Sequence, residues 1–127
     1  MATINISRCI KRNEPTLINF TTATNSYQGE GENFSLDFEA ADERCYIIVR
    51  NDGNKSVYCG FYNPETFNID GKKLVEGRTT VVIPIESGKL ARYNSNILLN
   101  LSPVNSSDSL SDSNVSVAAF QSGIITK

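Results

Sequence analysis

The chain has 127 residues with a formal net charge of −2, and it contains neither histidine nor tryptophan. This length suits one domain that buries its own core. Without histidine, Ser-His-Asp and Cys-His catalysis are excluded and the commonest general base is missing. The slightly negative charge argues against a nucleic-acid partner. The sequence shows neither a signal-like start nor an apolar run of membrane-spanning length, so we expect a cytoplasmic product and no membrane partner.

Residues 1–14 are predicted to form an extended N-terminal arm ahead of one domain, residues 15–127. Apolar side chains alternate along this arm at Ile4, Ile6 and Ile10. Its basic side chains contrast with the mildly acidic remainder and suit docking on an acidic partner surface. The residues that we expect to bind the partner are Ile4, Ile6, Arg8, Ile10, Lys11 and Arg12.

The rest of the chain consists of short β-branched or aromatic runs between turn-forming residues. Runs of strand length occupy residues 16–20, 34–39, 45–50, 55–62, 79–85, 97–102 and 114–120. Turns are indicated at Asn51–Gly53, Asp70–Gly71 and Ser87–Gly88. Residues 40–44 and 87–93 could each form one helical turn, which is too short for a stable helix. The pattern predicts an all-β fold, a single β-sandwich of about seven or eight antiparallel strands, immunoglobulin-like or jelly-roll.

The segment around Asn51–Gly53 predicts a hairpin, for which two registers are open. A three-residue loop places Cys45 opposite Cys59 and gives one shared inner face: Cys45, Ile47, Val49, Val57, Cys59 and Phe61. A two-residue loop at Asp52–Gly53 places the two cysteines on opposite faces. The first register is favoured because its apolar face is continuous.

The stretch from Ser102 to Asn114 is rich in serine and aspartate. It has too little apolar surface to fold by itself and is predicted to be a mobile loop before the last strand.

Few residues suggest chemistry. Cys9, Cys45 and Cys59 match no metal-ligand spacing and are predicted to be buried thiols. Carboxylate pairs such as Glu30 with Glu32 fit solvated strand ends better than glycosidase work. We therefore expect no enzyme activity, no metal and no cofactor. Aromatic residues could instead form a sugar platform: Tyr27, Tyr46, Tyr58, Tyr62, Tyr93, Phe61 and Phe67.

The order of three segments resembles small head proteins of tailed bacteriophages. These segments are CYIIVRNDG at residues 45–53, TTVVIPIESG at residues 79–88 and NVSVAAF at residues 114–120. The resemblance implies a capsid decoration, or auxiliary head, protein. Such a protein binds the major capsid protein on the capsid exterior, reinforces the shell, and is a possible homo-oligomer there. The alternative hypothesis is a phage or bacterial surface domain that recognises glycans through its tyrosines.

Overall fold

The computed structural model describes residues 2–9, 14–37, 45–85 and 97–122. The strands are β1 (Ala2–Ile4), β2 (Ile6–Cys9), β3 (Thr21–Thr22), β4 (Glu32–Leu36), β5 (Cys45–Asn51), β6 (Val57–Asn63), β7 (Asn68–Val75), β8 (Thr79–Pro84), β9 (Ile97–Pro103) and β10 (Val115–Ser122). A 3₁₀ turn, Leu110–Asp112, precedes β10, and these ranges contain no α-helix. The all-β prediction is confirmed.

The strands form two packed sheets. Sheet I has the order β1-β4-β9-β6-β7, and sheet II has the order β2-β10-β5-β8 with β3 also paired to β10. The antiparallel pairs β3 with β10, β4 with β9, β5 with β8 and β6 with β7 are nested in sequence. One long hairpin rolled into two sheets has this nesting, which is the topology of a jelly roll. The jelly-roll alternative of the predicted sandwich is therefore the observed one.

Alternating side chains of both sheets fill the core. Along β5 the pattern alternates between buried and half-buried residues, with Cys45, Ile47 and Val49 facing inward. Val57 and Cys59 are also buried, and Phe61 packs against the same cluster. The residues of the predicted inner face thus all face the core, but they do not share one face, because β5 and β6 belong to different sheets. A period of two selects the inward residues whichever strand lies alongside.

The predicted hairpin between β5 and β6 is wrong. β5 pairs with β10 and β8 in sheet II, whereas β6 pairs with β9 and β7 in sheet I. The Asn51 side chain is fully buried, donates to the Lys55 carbonyl at 2.7 Å and accepts from the Gly53 N–H at 3.1 Å. These bonds fix the turn as a crossing between sheets. Cys45 and Cys59 therefore face the core from opposite sheets.

One strand prediction and one turn prediction are also wrong. Residues 16–20 are not a strand, and pairing begins only at Thr21. Asp70–Gly71, predicted as a turn, lies inside β7, where the register with β6 shifts between Cys59 and Phe61. Gly71 takes a positive φ of 63° at this bulge, a conformation that suits glycine. The two segments predicted as helical turns, residues 40–44 and 87–93, lie outside the described residues.

The N-terminal segment contributes a strand to each sheet. β1 runs parallel to β4 at the edge of sheet I, and β2 runs parallel to β10 in sheet II. The chain passes from one sheet to the other at Asn5. Residues 2–9 of the predicted arm are therefore paired strands of the sandwich.

Candidate functional site

The structure places the predicted partner-binding residues in different surroundings. Ile4 is only 3% exposed in the core, and Ile6 packs against that core. The backbone of Arg8 pairs with Gln121. Ile10, Lys11 and Arg12 lie outside the described residues. The prediction that Ile4 binds the partner is wrong. The alternation of apolar residues that suggests an exposed binding arm is also the pattern of a strand with one face in the core.

The described residues hold no cluster of three or more acidic or cysteine side chains suited to a metal ion. The Cys59 thiol is buried, and this burial raises its pKa, which keeps it protonated and a poor nucleophile. Glu32 accepts hydrogen bonds from the backbone N–H groups of Thr24 and Asn25, at 2.9 and 3.0 Å. Its carboxylate therefore holds the loop between β3 and β4.

One end of the sandwich is formed by loops of residues 23–31, 52–56, 76–78 and 104–114, which we call the loop rim. The rim joins β3 to β4, β5 to β6, β7 to β8 and β9 to β10. The jelly-roll topology brings these four connections together, although they are far apart in the sequence. No local sequence motif predicts such a surface.

Backbone hydrogen bonds tie the rim loops to one another. The Gly29 N–H donates to the Asp108 carbonyl at 2.8 Å, and the Ser111 N–H donates to the Asn25 carbonyl at 3.0 Å. The Asp52 N–H donates to the Asn114 carbonyl at 3.0 Å. The loop of residues 104–114 thus receives or gives a bond to two other loops.

Close packing adds to these bonds. A Cβ atom at Gly53 would lie 2.2 Å from the Ser113 carbonyl oxygen, so only glycine allows this contact between the second and fourth loops. A Cβ atom at Gly77 would lie 2.7 Å from the carbonyl carbon of Asn54, which brings the third loop against the second. The rim loops therefore hold one another in place through hydrogen bonds and close packing.

Leu110 anchors the longest rim loop in the core. Its side chain is fully buried, and the neighbouring Ser109 and Ser113 are 4% and 1% exposed. The Ser113 hydroxyl donates to the Ser109 carbonyl at 3.0 Å. The predicted loop of residues 102–114 is shorter than expected, because Ser102 and Pro103 belong to β9. One apolar side chain and local serine hydrogen bonds anchor its second half, which the low apolar content does not predict.

An ion pair between Lys55 and Asp108, 2.8 Å apart, also connects two rim loops. The side-chain hydrogen bond between them, before any other cause, lowers the pKa of Asp108 below its ordinary value of 3.8 and raises the pKa of Lys55 above 10.5. Asp108 therefore contributes stability above pH 3.8 that is lost as the pH falls through its folded-state pKa. Lys55 contributes stability below pH 10.5 that is lost as the pH rises through its folded-state pKa.

We expect Lys55→Met to move the titration of the Asp108 carboxyl upward, because the donor that favours the carboxylate is removed. Carboxyl ¹³C NMR shifts recorded between about pH 2 and pH 6 measure this midpoint. Lys73→Met, at an exposed position of β7, is the control variant and should leave the Asp108 midpoint unchanged. An Asp108 midpoint that is equal in both proteins would show that the ion pair does not form.

The outward surface of the rim combines exposed apolar groups with negative charge. Tyr27 is 70% exposed and Val104 is 39% exposed. The rim has more acidic than basic side chains: Glu30, Asp52, Glu76, Asp108 and Asp112 against Lys55 and Arg78. Since the whole chain has a net charge of only −2, negative charge is concentrated at this end. A complementary partner surface would be basic and partly apolar.

No family model, curated protein or solved structure matches this chain. No helix in the described ranges is long and apolar enough to cross a membrane.

The aromatic residues considered for a sugar platform lie on separate surfaces. Tyr46 stacks on Phe120 on the outside of sheet II, with ring centroids 5.0 Å apart. Tyr58 is on sheet I, with the Lys72 ammonium 4.5 Å from its ring centroid. Tyr27 belongs to the rim, and Phe67 lies in the turn at the other end. Tyr93 is outside the described residues. Tyr58 and Tyr62 share β6 of sheet I, where Phe61 packs against the core, whereas the other described rings lie elsewhere.

Proposed function

We propose that this chain is a structural binding protein that attaches to the outer surface of a tailed-phage capsid through its loop rim and stabilises the shell. The resemblance of residues 45–53, 79–88 and 114–120 to phage head proteins supports the capsid as the partner. Jelly-roll sandwiches also occur in viral capsid and lectin domains. The observation that carries the proposal is the bracing of four loops into one exposed surface.

Bracing matters because ordering flexible loops on binding costs free energy. The rim loops already exchange backbone hydrogen bonds such as that from Gly29 to Asp108. Little further ordering is needed when the rim meets its partner. A rigid surface of this kind can span neighbouring capsid subunits and add buried area between them.

The rim also supplies the groups that bind. Tyr27 is an exposed aromatic side chain, the class that most often dominates interface energetics. The excess of carboxylates favours a basic patch of the major capsid protein and disfavours nucleic acid. Attachment should therefore weaken as salt is raised, since exposed charges are screened.

Co-sedimentation tests the proposal with undecorated heads assembled from the major capsid protein of the same genome. Wild-type protein should bind saturably, and Tyr27→Ala should weaken binding about tenfold or more. Phe67→Ala is the matched control, because Phe67 is 76% exposed at the opposite end, and it should bind as wild type does.

Failure of the wild-type protein to co-sediment would overturn attachment to capsids. Equal binding by wild type and Tyr27→Ala, with loss in Phe67→Ala, would place the contact at the other end. Binding to an array of glycans that is lost on substitution of Tyr58 or Tyr62 would instead favour the glycan hypothesis.

A further inference from the structure

Three of the four described sheet edges carry features that discourage pairing with another chain. β1 is three residues long, and β2, at the edge of sheet II, is four residues long and includes Arg8. β7 has a bulge at Gly71 together with Lys72 and Lys73. Short length, charge, proline and bulges are the usual protections of an edge.

The fourth edge, β8, carries only one of these protections, the proline at its end, Pro84. Its six residues, Thr79–Pro84, contain no charge, and their pairing with β5 shows no register shift. Thr80 is exposed, and the Val82 side chain is 54% exposed on the outer face of sheet II. A regular, uncharged edge rich in β-branched residues is suited to accept another strand.

One hydrogen bond shows which backbone groups of β8 face the open side. The Ile85 N–H donates to the Cys45 carbonyl of β5 at 2.9 Å. Because the direction alternates along a strand, Val81 and Ile83 also point their N–H and C=O groups toward β5. Thr80 and Val82 therefore point theirs toward the open side. Pro84 points the same way but has no N–H.

We propose that β8 pairs antiparallel with β8 of a second copy of this chain about a two-fold axis. In this register Thr80 lies opposite the second copy's Val82, and Val81 lies opposite its own counterpart at the axis. The N–H and C=O groups of Thr80 and Val82 all gain hydrogen-bond partners, and no bond in this register requires an N–H from Pro84. A register centred on Val82 would leave the Thr80 carbonyl facing the proline.

The edge at β8 is better suited than the edge at β7 to pair with a second copy of the chain. Like charges on Lys72 and Lys73 would meet if β7 paired with itself, whereas β8 brings no charge to its own partner. Each β8 edge is used once in a two-fold arrangement, so association closes at the dimer.

An apolar cleft beside β8 adds buried surface to the same contact. The cleft has a volume of about 220 Å³, lies between β7 and β8, and is lined by Phe61, Val75, Val81 and Ile83 among others. The inward-facing side chains of an added strand would lie at the opening of this cleft. Among them, Val81 of the second copy would lie nearest the two-fold axis. Dimer formation therefore covers apolar surface that the single copy leaves open.

Sedimentation equilibrium and amide hydrogen exchange test the proposal without capsids. Wild-type protein should sediment at twice its chain mass of 14.0 kDa. Exchange at the Thr80 and Val82 amides should slow as protein concentration rises, while Val81 and Ile83 stay protected at every concentration because they bond to β5.

Val82→Pro removes an outward N–H without breaking a bond to β5, which edge strands tolerate, and should weaken dimerisation about tenfold or more. Val82→Thr keeps the N–H and is the matched control, which should dimerise. A monomer for the wild type up to about 1 mM, corresponding to very weak affinity, or equal dimerisation by Val82→Pro, would overturn the proposal. If Val82→Pro does not fold, concentration-independent exchange at Thr80 and Val82 in the wild type would overturn it.

Discussion

Leu110→Ala should lower the free energy of unfolding by about 2–5 kcal/mol, the usual cost of removing a buried leucine side chain. Leu110 is fully buried although the residues around it in the loop are polar. The loop cannot easily collapse into the space, because its backbone hydrogen bonds from Ser111 to Asn25 and from Gly29 to Asp108 hold it to another loop. Urea unfolding followed by far-UV circular dichroism measures the change.

Val104→Ala is the control in the same loop. Val104 is 39% exposed, so its truncation should cost less than about 0.5 kcal/mol, as surface substitutions usually do. Equal losses for the two variants would contradict the anchoring of this loop in the core. Leu110→Ala should also weaken attachment to heads, because it loosens the braces that preorganise the rim.

Ile4→Ala should destabilise the protein by about 2–5 kcal/mol as well. Ile4 is 3% exposed in the core cluster, and β1 pairs with β4 beside the buried Phe34 and Leu36. Thermal and urea unfolding should both show the loss. Thr3→Ala is the control, because Thr3 is exposed on the same strand, and should be nearly neutral.

This result also bears on deletion of residues 1–14. On sequence grounds, such a deletion would leave a folded sandwich that binds its partner less well. In the structure it removes β1 from sheet I and β2 from sheet II. We therefore expect the deletion to lower the free energy of unfolding, so that any weaker attachment follows from the lost stability. A truncated protein that unfolds at the wild-type urea concentration would show that these strands add little.

Alternation in the sequence predicts the strand segments and the inward side chains well. β5, β8, β9 and β10 lie close to the predicted runs, because β-branched residues with a period of two occupy them. The partner of each strand is less accessible. Turn chemistry at Asn51–Gly53 predicts a reversal, but whether the chain returns to the same sheet depends on contacts with β10 and β8 far along the sequence.

Composition misleads in two places. β7 contains Asp70, Gly71, Lys72 and Lys73, which hide a strand because it lies at an edge and is bulged. The loop of residues 104–114 is polar except for Val104 and Leu110, so its single anchor is not visible from average hydrophobicity. The loop rim itself is assembled by long-range contacts, which no local pattern specifies.

Cryo-electron microscopy of undecorated heads mixed with the purified protein shows whether the loop rim attaches to the shell. β10 begins at the rim with Val115 and ends at Ser122, and β2 runs parallel to it, so β2 leads away from the rim. Attachment by the rim and attachment by residues beyond β2 therefore predict different orientations. We expect added density on the outside of the shell with the loop of residues 104–114 against it. Heads without added density would overturn attachment to the shell, and density with the turn of residues 64–67 toward the shell would overturn attachment through the loop rim.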